Sequence, residues 1–259
     1  MSKDRENLEM AFRGWMHAKY EVLEKNRYFP EKLDSFYELL NLLCKSSVLL
    51  VKPGTVLYRA RIVHDKAKLH DEAPFYGFDK EASFVPPKGR GNAGRANPKH
   101  INYLYVASDA ITAAMECRAR LEDQISIAEI RCNDVLEIAD LVYYNELETI
   151  DEAFRFLLAR EFSAPSNNED DYIFSQFLSE YIKSLGYDGI RYNSAQNKSG
   201  ANFTIFNFNK CEAIASSVYE IKSICMSIKP ISPAKGAQIK NRVTTLVKQG
   251  KTSFSPTIY

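Results

Sequence analysis

Between Lys3 and Lys25 apolar residues recur at Leu8, Ala11, Phe12, Trp15, Val22 and Leu23 with charged residues between them, a helical period that predicts an amphipathic helix. Pro30 stands where a second helix begins. Leu33, Phe36, Leu40 and Leu43 carry the same period toward Ser47, so the chain opens with a helical extension that ends at Lys52-Pro53-Gly54. The stripe through Trp15 and Phe36 offers either a groove for a partner or a face buried against the rest of the chain. Apolar stripes at this spacing usually bury intramolecularly, and burial is the expectation here. From Thr55 the period drops to two: Val56, Tyr58, Ala60 and Ile62 alternate with Leu57, Arg59, Arg61 and Val63, a strand with two arginines on one face. A guanidinium is rarely buried without an anion, so this strand is either an exposed edge or one wall of an anion site.

His64 to His100 is long and rich in turn residues, with Pro74, Gly77, Pro86, Pro87, Gly89, Gly91 and Gly94, the kind of segment that is either functional or mobile. Its last part, Asn92-Ala93-Gly94-Arg95-Ala96-Asn97-Pro98, is shaped: Gly94 frees the backbone before Arg95, and Pro98 fixes its own φ. A strand over Asn102 to Ala107 follows, with Tyr103 and Tyr105 on one face. Then comes a helix from Ala110 to Leu121, capped by Ser108 or Asp109, in which Ile111, Ala114, Met115 and Arg118 form one stripe with Glu116 beside it. An arginine, a tyrosine and a carboxylate thus fall on three successive elements. Taken alone, Glu116 has an ordinary alternative as the i,i+4 surface partner of Arg120.

Farther on, Gln124 to Arg131 and Val135 to Ile138 read as strands and Ile150 to Glu161 as a helix. Asn167 or Asn168 caps a stronger helix with Ile173, Phe174, Phe177, Tyr181, Ile182 and Leu185 at helical spacing, stopped by Gly186. Gly189 to Ser194, a polar turn through Asn197, Ser199 and Gly200, a strand from Asn202 to Phe208 and a last strand over Cys211 to Ile221 follow. Beyond Pro230 there are lysines and Arg242 among Ser, Thr, Gly and Pro, with no acidic residue. That composition predicts a weakly structured basic tail. The expected organisation is a helical extension over residues 1–53, a catalytic domain over 54–226 and the tail over 227–259.

Composition narrows the classes. The 259 residues are 45% hydrophobic, enough for a full core, and disorder is excluded for the body of the chain. A net charge of +1 and a pI near 7.6 give no whole-chain attraction to nucleic acid or an anionic membrane, and no nucleic-acid motif is present, so direct nucleic-acid binding is not expected. No apolar run is long enough for a transmembrane helix, and no leader-like segment opens the sequence. Cys44, Cys117, Cys132, Cys211 and Cys225 are odd in number and never form C-x-x-C, which points to a reducing cytoplasm and buried thiols. His17, His64, His70 and His100 lack metal-ligand spacing, and no metal site is expected. Gly89, Gly91 and Gly94 have the spacing of a dinucleotide-binding glycine loop. They neither follow a clear strand nor open a helix, so that reading is rejected.

Three separated pieces then line up: Leu57-Tyr58-Arg59-Ala60, next Gly94 to Pro98 with Tyr103-Leu104-Tyr105 and Ala113-Ala114-Met115-Glu116, and finally Tyr192-Asn193-Ser194 with Asn202-Phe203. Their order and spacing from about Thr55 to Phe208 resemble the RES family, named for its arginine, glutamate and serine, whose members are NAD-consuming bacterial toxins paired with helix-turn-helix antitoxins. The sequence departs from the family's Gly-Gly-Arg-Trp-Asn loop: Ala93 replaces the first glycine and Ala96 the tryptophan, an aromatic wall that Phe75, Tyr76 or Phe84 would have to supply. Ser194, Ser199 and Thr204 all lie where the family serine falls, and Ser194 is preferred for its place at a strand end.

The resemblance implies an α+β fold like that of ADP-ribosyltransferases, a mixed, split β-sheet with flanking helices and a cleft for NAD as substrate, with no separate cofactor. It implies Glu116, Arg59 and Ser194 as the catalytic set and Arg59, Arg95, Tyr105, Asn97 and Asn202 as the residues that bind NAD. The residue types suit the chemistry. Cleaving the nicotinamide–ribose bond passes through an oxocarbenium-like state that a carboxylate stabilises, and a pyrophosphate is best held by guanidinium groups. Tyr105 would stack on nicotinamide or close the pocket, and Ser194 would orient the ribose or the carboxamide. Phosphate as acceptor gives an NAD phosphorylase, water a glycohydrolase, and a protein side chain an ADP-ribosyltransferase. The competing reading from another class is an interaction or nucleic-acid-binding module with a degenerate pocket.

Overall fold

The computed structural model describes residues 3–143, 150–164 and 168–224. The predicted basic tail, and Cys225 with it, lies outside them. The amphipathic N-terminal stretch forms α1 (Lys3–Tyr20), which continues as a wider helical turn over Glu21–Lys25, and the second apolar stripe forms α2 (Asp34–Ser46). Each buries most of the face its period implies, at Ala11, Trp15 and Val22 and at Phe36, Leu40 and Leu43, while Phe12 and Leu23 of the first stripe stay exposed. Trp15 is 2% exposed and meets Phe36, Phe154 and Phe174 with ring centroids 5.9, 5.4 and 5.2 Å away, the last two nearly edge-on. The stripe is therefore core, as expected, and its partners come from α5 (Ile150–Ser163) and α6 (Ile173–Ser184). Leu158, Phe162 and Leu178 complete this cluster, which also takes in Ile190 and Leu141 beneath the helices.

The strands are β1 (Val48–Val51), β2 (Val56–Ile62), β3 (Phe75–Tyr76), β4 (Leu104–Ala107), β5 (Gln124–Cys132), β6 (Leu136–Asp140), β7 (Gly189–Asn193), β8 (Ala201–Ile205) and β9 (Cys211–Glu220). They join in the order β1-β6-β7-β8-β4-β2-β5-β9-β3. Two pairings, β6 with β7 and β3 with β9, are parallel and the rest antiparallel, so the sheet is mixed, as the fold class requires. Most neighbours share a continuous ladder, as β2 and β5 do from Val56↔Arg131 to Ile62↔Ile125. Between β2 and β4 the register holds only Tyr58↔Ala107. That single contact is where the sheet splits into two halves. A second core cluster draws on both: Leu57, Ala128 and Ile130 from one half, Leu104, Val106, Ile138 and Phe203 from the other.

Several elements differ from the sequence pattern. Val48-Leu49-Leu50-Val51 reads as the end of the helical extension but pairs with β6 from Val48↔Ala139 to Val51↔Leu136. Four apolar residues are too few for periodicity to separate strand from helix. The segment from His64 to His100 is not structureless: it contributes β3 and the short α3 (Lys80–Ser83), whose N-terminus is capped where the Asp79 side chain accepts from the Ala82 amide at 2.6 Å. The helix predicted over Ala110 to Leu121 is the shorter α4 (Ala110–Glu116), and the stripe through Ile111 and Met115 is not its buried face. Ile111 and Met115 are exposed, while Thr112 and Ala113 are buried, and Glu116 lies on their side. Arg118 adopts a left-handed φ of 52°, which ends the helical path.

Candidate active site

Where β2 and β4 part, the gap is a cavity of about 290 Å³. Tyr58, Arg59 and Ala60 line it from β2, Tyr105, Val106 and Ala107 from β4, and Asn202 and Phe203 from β8. Arg95 enters from its loop, Glu116 from the end of α4, and Tyr192 from β7. A second, more polar cavity of about 210 Å³ shares Arg95, Glu116, Tyr192 and Asn202 with the first and continues past Arg118, Tyr172 and Gln196. The four shared residues form the waist of a two-lobed cleft.

Glu116 sits at that waist because α4 is aimed at it. Asp109 caps the helix, its Oδ1 accepting from the Thr112 amide at 2.8 Å and its Oδ2 from the Thr112 hydroxyl at 2.6 Å. At the other end, Glu116 Oε1 accepts from Ser194 Oγ at 2.5 Å and from Asn202 Nδ2 at 2.8 Å. Oε2 has no hydrogen-bond partner among the described residues, and it is not a buried atom: the one buried side-chain atom left without a partner is Asn102 Oδ1. One carboxylate oxygen is therefore fixed and the other is open to the cleft. The i,i+4 pair with Arg120 does not form. Arg120 lies beyond the helix, and its amide donates to Asp123.

Neither Arg59 nor Arg95 meets a carboxylate within ion-pair distance among the described residues. Arg59 makes only a long contact, 3.5 Å, to the Ser83 carbonyl oxygen. Burial, and then the neighbouring Arg61 charge, pull its guanidinium down to about 10, so it stays charged at neutral pH while lacking a counter-ion. Arg61 is spent elsewhere, over the Phe78 ring at 5.2 Å and donating to the Ala82 carbonyl oxygen at 2.5 Å. The guanidinium of Arg95 lies 5.4 Å from the centre of the Tyr172 ring. Two guanidinium groups with no ion pair, against the one carboxylate of Glu116 among the lining residues, leave the cleft able to receive an anionic group.

The Arg95 loop is held from both sides. Tyr105 donates from its hydroxyl to Asn97 Oδ1 at 2.5 Å and accepts from the Ala96 amide at 3.0 Å. Asn97 Nδ2 donates to the carbonyl oxygens of Asn92, Pro98 and Ile101, so this residue staples the loop to itself. From α6, Ser175 Oγ donates to the Arg95 carbonyl oxygen at 2.5 Å, and Gln176 Nε2 donates to those of Gly94 and Asn97 at 2.9 and 3.0 Å. A Cβ on Gly94 would stand 2.7 Å from both Asn97 Oδ1 and the Tyr105 hydroxyl, so glycine is required by close approach.

Of the residues singled out in the sequence, the structure gathers Arg59, Arg95, Tyr105, Glu116 and Asn202 around one cleft. Ser194 touches Glu116 from behind. Asn97 does not line either lobe, its side-chain nitrogen being engaged by backbone carbonyl oxygens around the loop and its oxygen by Tyr105. Tyr105 presents its ring to the cleft, but its hydroxyl is committed to the loop, and burial raises its pKa far above the ordinary value. The three candidates for the family serine differ in their contacts: Ser199 donates to Asn197 Oδ1 at 3.0 Å on an exposed turn, Thr204 is fully buried beside the Tyr192 hydroxyl, and of the three Ser194 alone bonds Glu116.

The aromatic wall expected from Phe75, Tyr76 or Phe84 is not built from them. Phe75 and Phe84 pack against the second core cluster, Tyr76 is exposed, and Ala96 is buried in the first core. The aromatic walls are Tyr58, Tyr105, Tyr192 and Phe203, with Tyr172 in the polar lobe. Cys117 departs from the expectation of buried thiols: it is half-buried and lines the cleft, whereas Cys44, Cys132 and Cys211 are buried and free. Sequence reasoning missed Ser175 and Gln176. Ser175 lies one position from Phe174 inside the buried stripe of α6, and a serine there signals a partner that periodicity does not name. Among the described residues no cluster of three or more His, Cys, Asp or Glu side chains is arranged to hold a metal, and no helix is long and apolar enough to cross a membrane.

A chain of the M. tuberculosis MbcT-MbcA toxin-antitoxin complex is similar to this one with a TM-score of 0.39 and 16% identity, over 79% of this chain and 98% of that one. No curated protein matches. The RES domain family model matches residues 56–226, more than half of the chain and all of the cleft, and the chain belongs to the RES domain family.

Proposed function

We propose that the protein cleaves the nicotinamide–ribose bond of NAD, acting as a toxin that depletes the dinucleotide and is restrained by a separate helix-turn-helix antitoxin. The observation that carries this reading is the state of Glu116: one oxygen fixed by Ser194 and Asn202, the other open in a cleft whose two unpaired guanidinium groups suit a pyrophosphate. Membership of the RES family supports the same substrate.

The chemistry follows from charge. As the glycosidic bond stretches, nicotinamide leaves neutral and the ribose acquires oxocarbenium character, so a fixed carboxylate gains interaction energy only as the barrier is approached. Glu116 supplies that carboxylate. Its rigidity matters because a group that must reorient loses much of the benefit. Arg59 and Arg95 hold the pyrophosphate, an interaction as strong before the transition state as in it, and so govern affinity. The cation then collapses onto an acceptor entering the cleft. Phosphate is the acceptor we propose first, which makes the enzyme an NAD phosphorylase; water would make it a glycohydrolase and a protein side chain an ADP-ribosyltransferase.

Incubating the protein with NAD, with and without phosphate, and resolving products by mass tests this directly. Loss of NAD with a phosphorylated ADP-ribose is expected, and free ADP-ribose would reassign the acceptor to water. No loss of NAD under either condition would refute the activity. Glu116→Gln keeps the shape and removes the charge, so turnover should fall about 100-fold or more while affinity for NAD changes little. Near-normal turnover would return Glu116 to a structural role.

A further inference from the structure

We infer that Thr112 and Asn197 are positioning residues forming a latch that fixes the direction of the Ser194 hydroxyl and thereby dictates which oxygen of Glu116 reacts. Thr112 and Glu116 are i,i+4 neighbours on α4, and Asn197 and Ser194 are three apart on the loop between β7 and β8, so two bonds between the same two elements close a ring. Asn197 Nδ2 donates to Thr112 Oγ1 at 2.8 Å, and Ser194 Oγ donates to Glu116 Oε1 at 2.5 Å. Within the loop, the amides of Gln196 and Asn197 both donate to Ser194 Oγ, at 3.1 and 3.0 Å. A hydroxyl oxygen that already accepts twice has only its own proton left to direct, and that proton falls on Glu116.

The latch has no slack. Thr112 is fully buried, and its hydroxyl proton is taken by Asp109 Oδ2, so toward Asn197 it acts only as acceptor. Asn197 is held as well: its Oδ1 accepts from the amide and hydroxyl of Ser199, and its carbonyl oxygen from the Gly200 amide. Gly200 passes so near that a Cβ there would lie 2.1 Å from Thr112 Oγ1. With Ser194 and Asn202 both on Oε1, Oε2 is the oxygen presented to the developing cation. The resulting division of roles is definite: Ser194 orients Glu116, and Thr112 and Asn197 orient Ser194, without any of the latch atoms reaching substrate.

This rests on the NAD-cleaving reading for its kinetic consequence, and its test has an arm that does not. Thr112→Val is isosteric but cannot hold Asn197. It should lower kcat about 10- to 100-fold, the scale of a small misplacement of a reacting group, with KM within about twofold. Thr112→Ser, which restores the hydroxyl, should recover most of the rate. Hydrogen exchange at the Gln196 and Asn197 amides should speed up in Thr112→Val and not in Thr112→Ser. Should Thr112→Val fail to fold, Asn197→Leu, which keeps the size and adds no charge but cannot donate to Thr112, should give the same two signatures. Wild-type kcat in these variants, or unchanged exchange at both amides, overturns the latch. If the wild-type protein leaves NAD intact, the functional reading fails, and the exchange experiment alone decides the latch.

Discussion

Trp15→Ala tests how far the N-terminal helices belong to the machinery of the cleft. Trp15 is 2% exposed and makes three aromatic contacts, two of them edge-on, to residues of α2, α5 and α6. Truncating a buried tryptophan costs about 3–5 kcal/mol, and the aromatic geometry, about 0.5–1.5 kcal/mol per pair beyond area, places this one in the upper part of that range. For a unit of this size each kcal/mol moves Tm by about 2–4 °C, so the loss should be about 8–20 °C. The consequence for the cleft is more specific. Phe174, one of the three partners, directly precedes Ser175 and Gln176, whose side chains hold the carbonyl oxygens of Gly94, Arg95 and Asn97. A loosened α6 should therefore loosen the Arg95 loop, some distance from the mutated residue. Calorimetry with hydrogen exchange at the Gly94 to Asn97 amides checks both parts. A small separate transition for α1 and α2, with the main transition within about 2 °C of wild type and the loop amides unaffected, would refute the reasoning.

Two further outcomes follow from the charges. Arg59→Ala and Arg95→Ala should each weaken NAD binding, by about 2–5 kcal/mol for a desolvated charge contact, with a smaller effect on kcat; titration calorimetry in the Glu116→Gln background measures this, and unchanged affinity in both would remove the pyrophosphate assignment. Acid should destabilise the fold below about pH 4. Hydrogen bonds from Lys80 and then Arg131 hold Glu212 down at about 2, and in Asp109 and Asp188 the upward push of burial is outweighed by donors, Thr112 for the first and Lys210 for the second. Because these folded-state values lie below the unfolded ones near 4, their contribution is complete above that pH and disappears as pH falls toward 2. Urea melts between pH 6 and 2 should show a plateau followed by a decline, and stability that rose on acidification would contradict it.

The elements that periodicity read well are those whose burial is set by their own sequence. The Trp15–Phe36 stripe and the α6 stripe each place a row of large apolar residues on one face, and no distant residue can change which face that is. The errors have a common cause in contacts that come from elsewhere. Val48 to Val51 became a strand because β6 lies alongside it, and α4 turned its Thr112 and Glu116 face inward because Asn197, Ser194 and Asn202 wait there with complementary groups. On hydrophobicity alone Ile111 and Met115 win the inward position. They lose it because the polar face gains three hydrogen bonds to other elements in a place where water is scarce, and unpaired polar groups there would cost more than two exposed apolar side chains.

The same logic explains why the cleft itself was not legible even though most of its residues were. Arg59 on a half-apolar strand and Arg95 after a glycine are each visible as anomalies, but nothing along the chain says that β2 and β4 share one register contact and then part. Strand pairing is nonlocal, and a split is the absence of pairing over residues that look fully competent for it. A strand left without a neighbour exposes backbone donors and acceptors that something must satisfy. In this fold both strands at the parting are protected from a further strand: α4 packs beside β2, and Tyr58, Arg59 and Tyr105 crowd the gap with polar and aromatic groups. A compact polar ligand can still enter. The polar side chains and the open strand edges therefore serve one end, since the arginines that make the gap costly to leave empty are the groups that an anionic dinucleotide would neutralise.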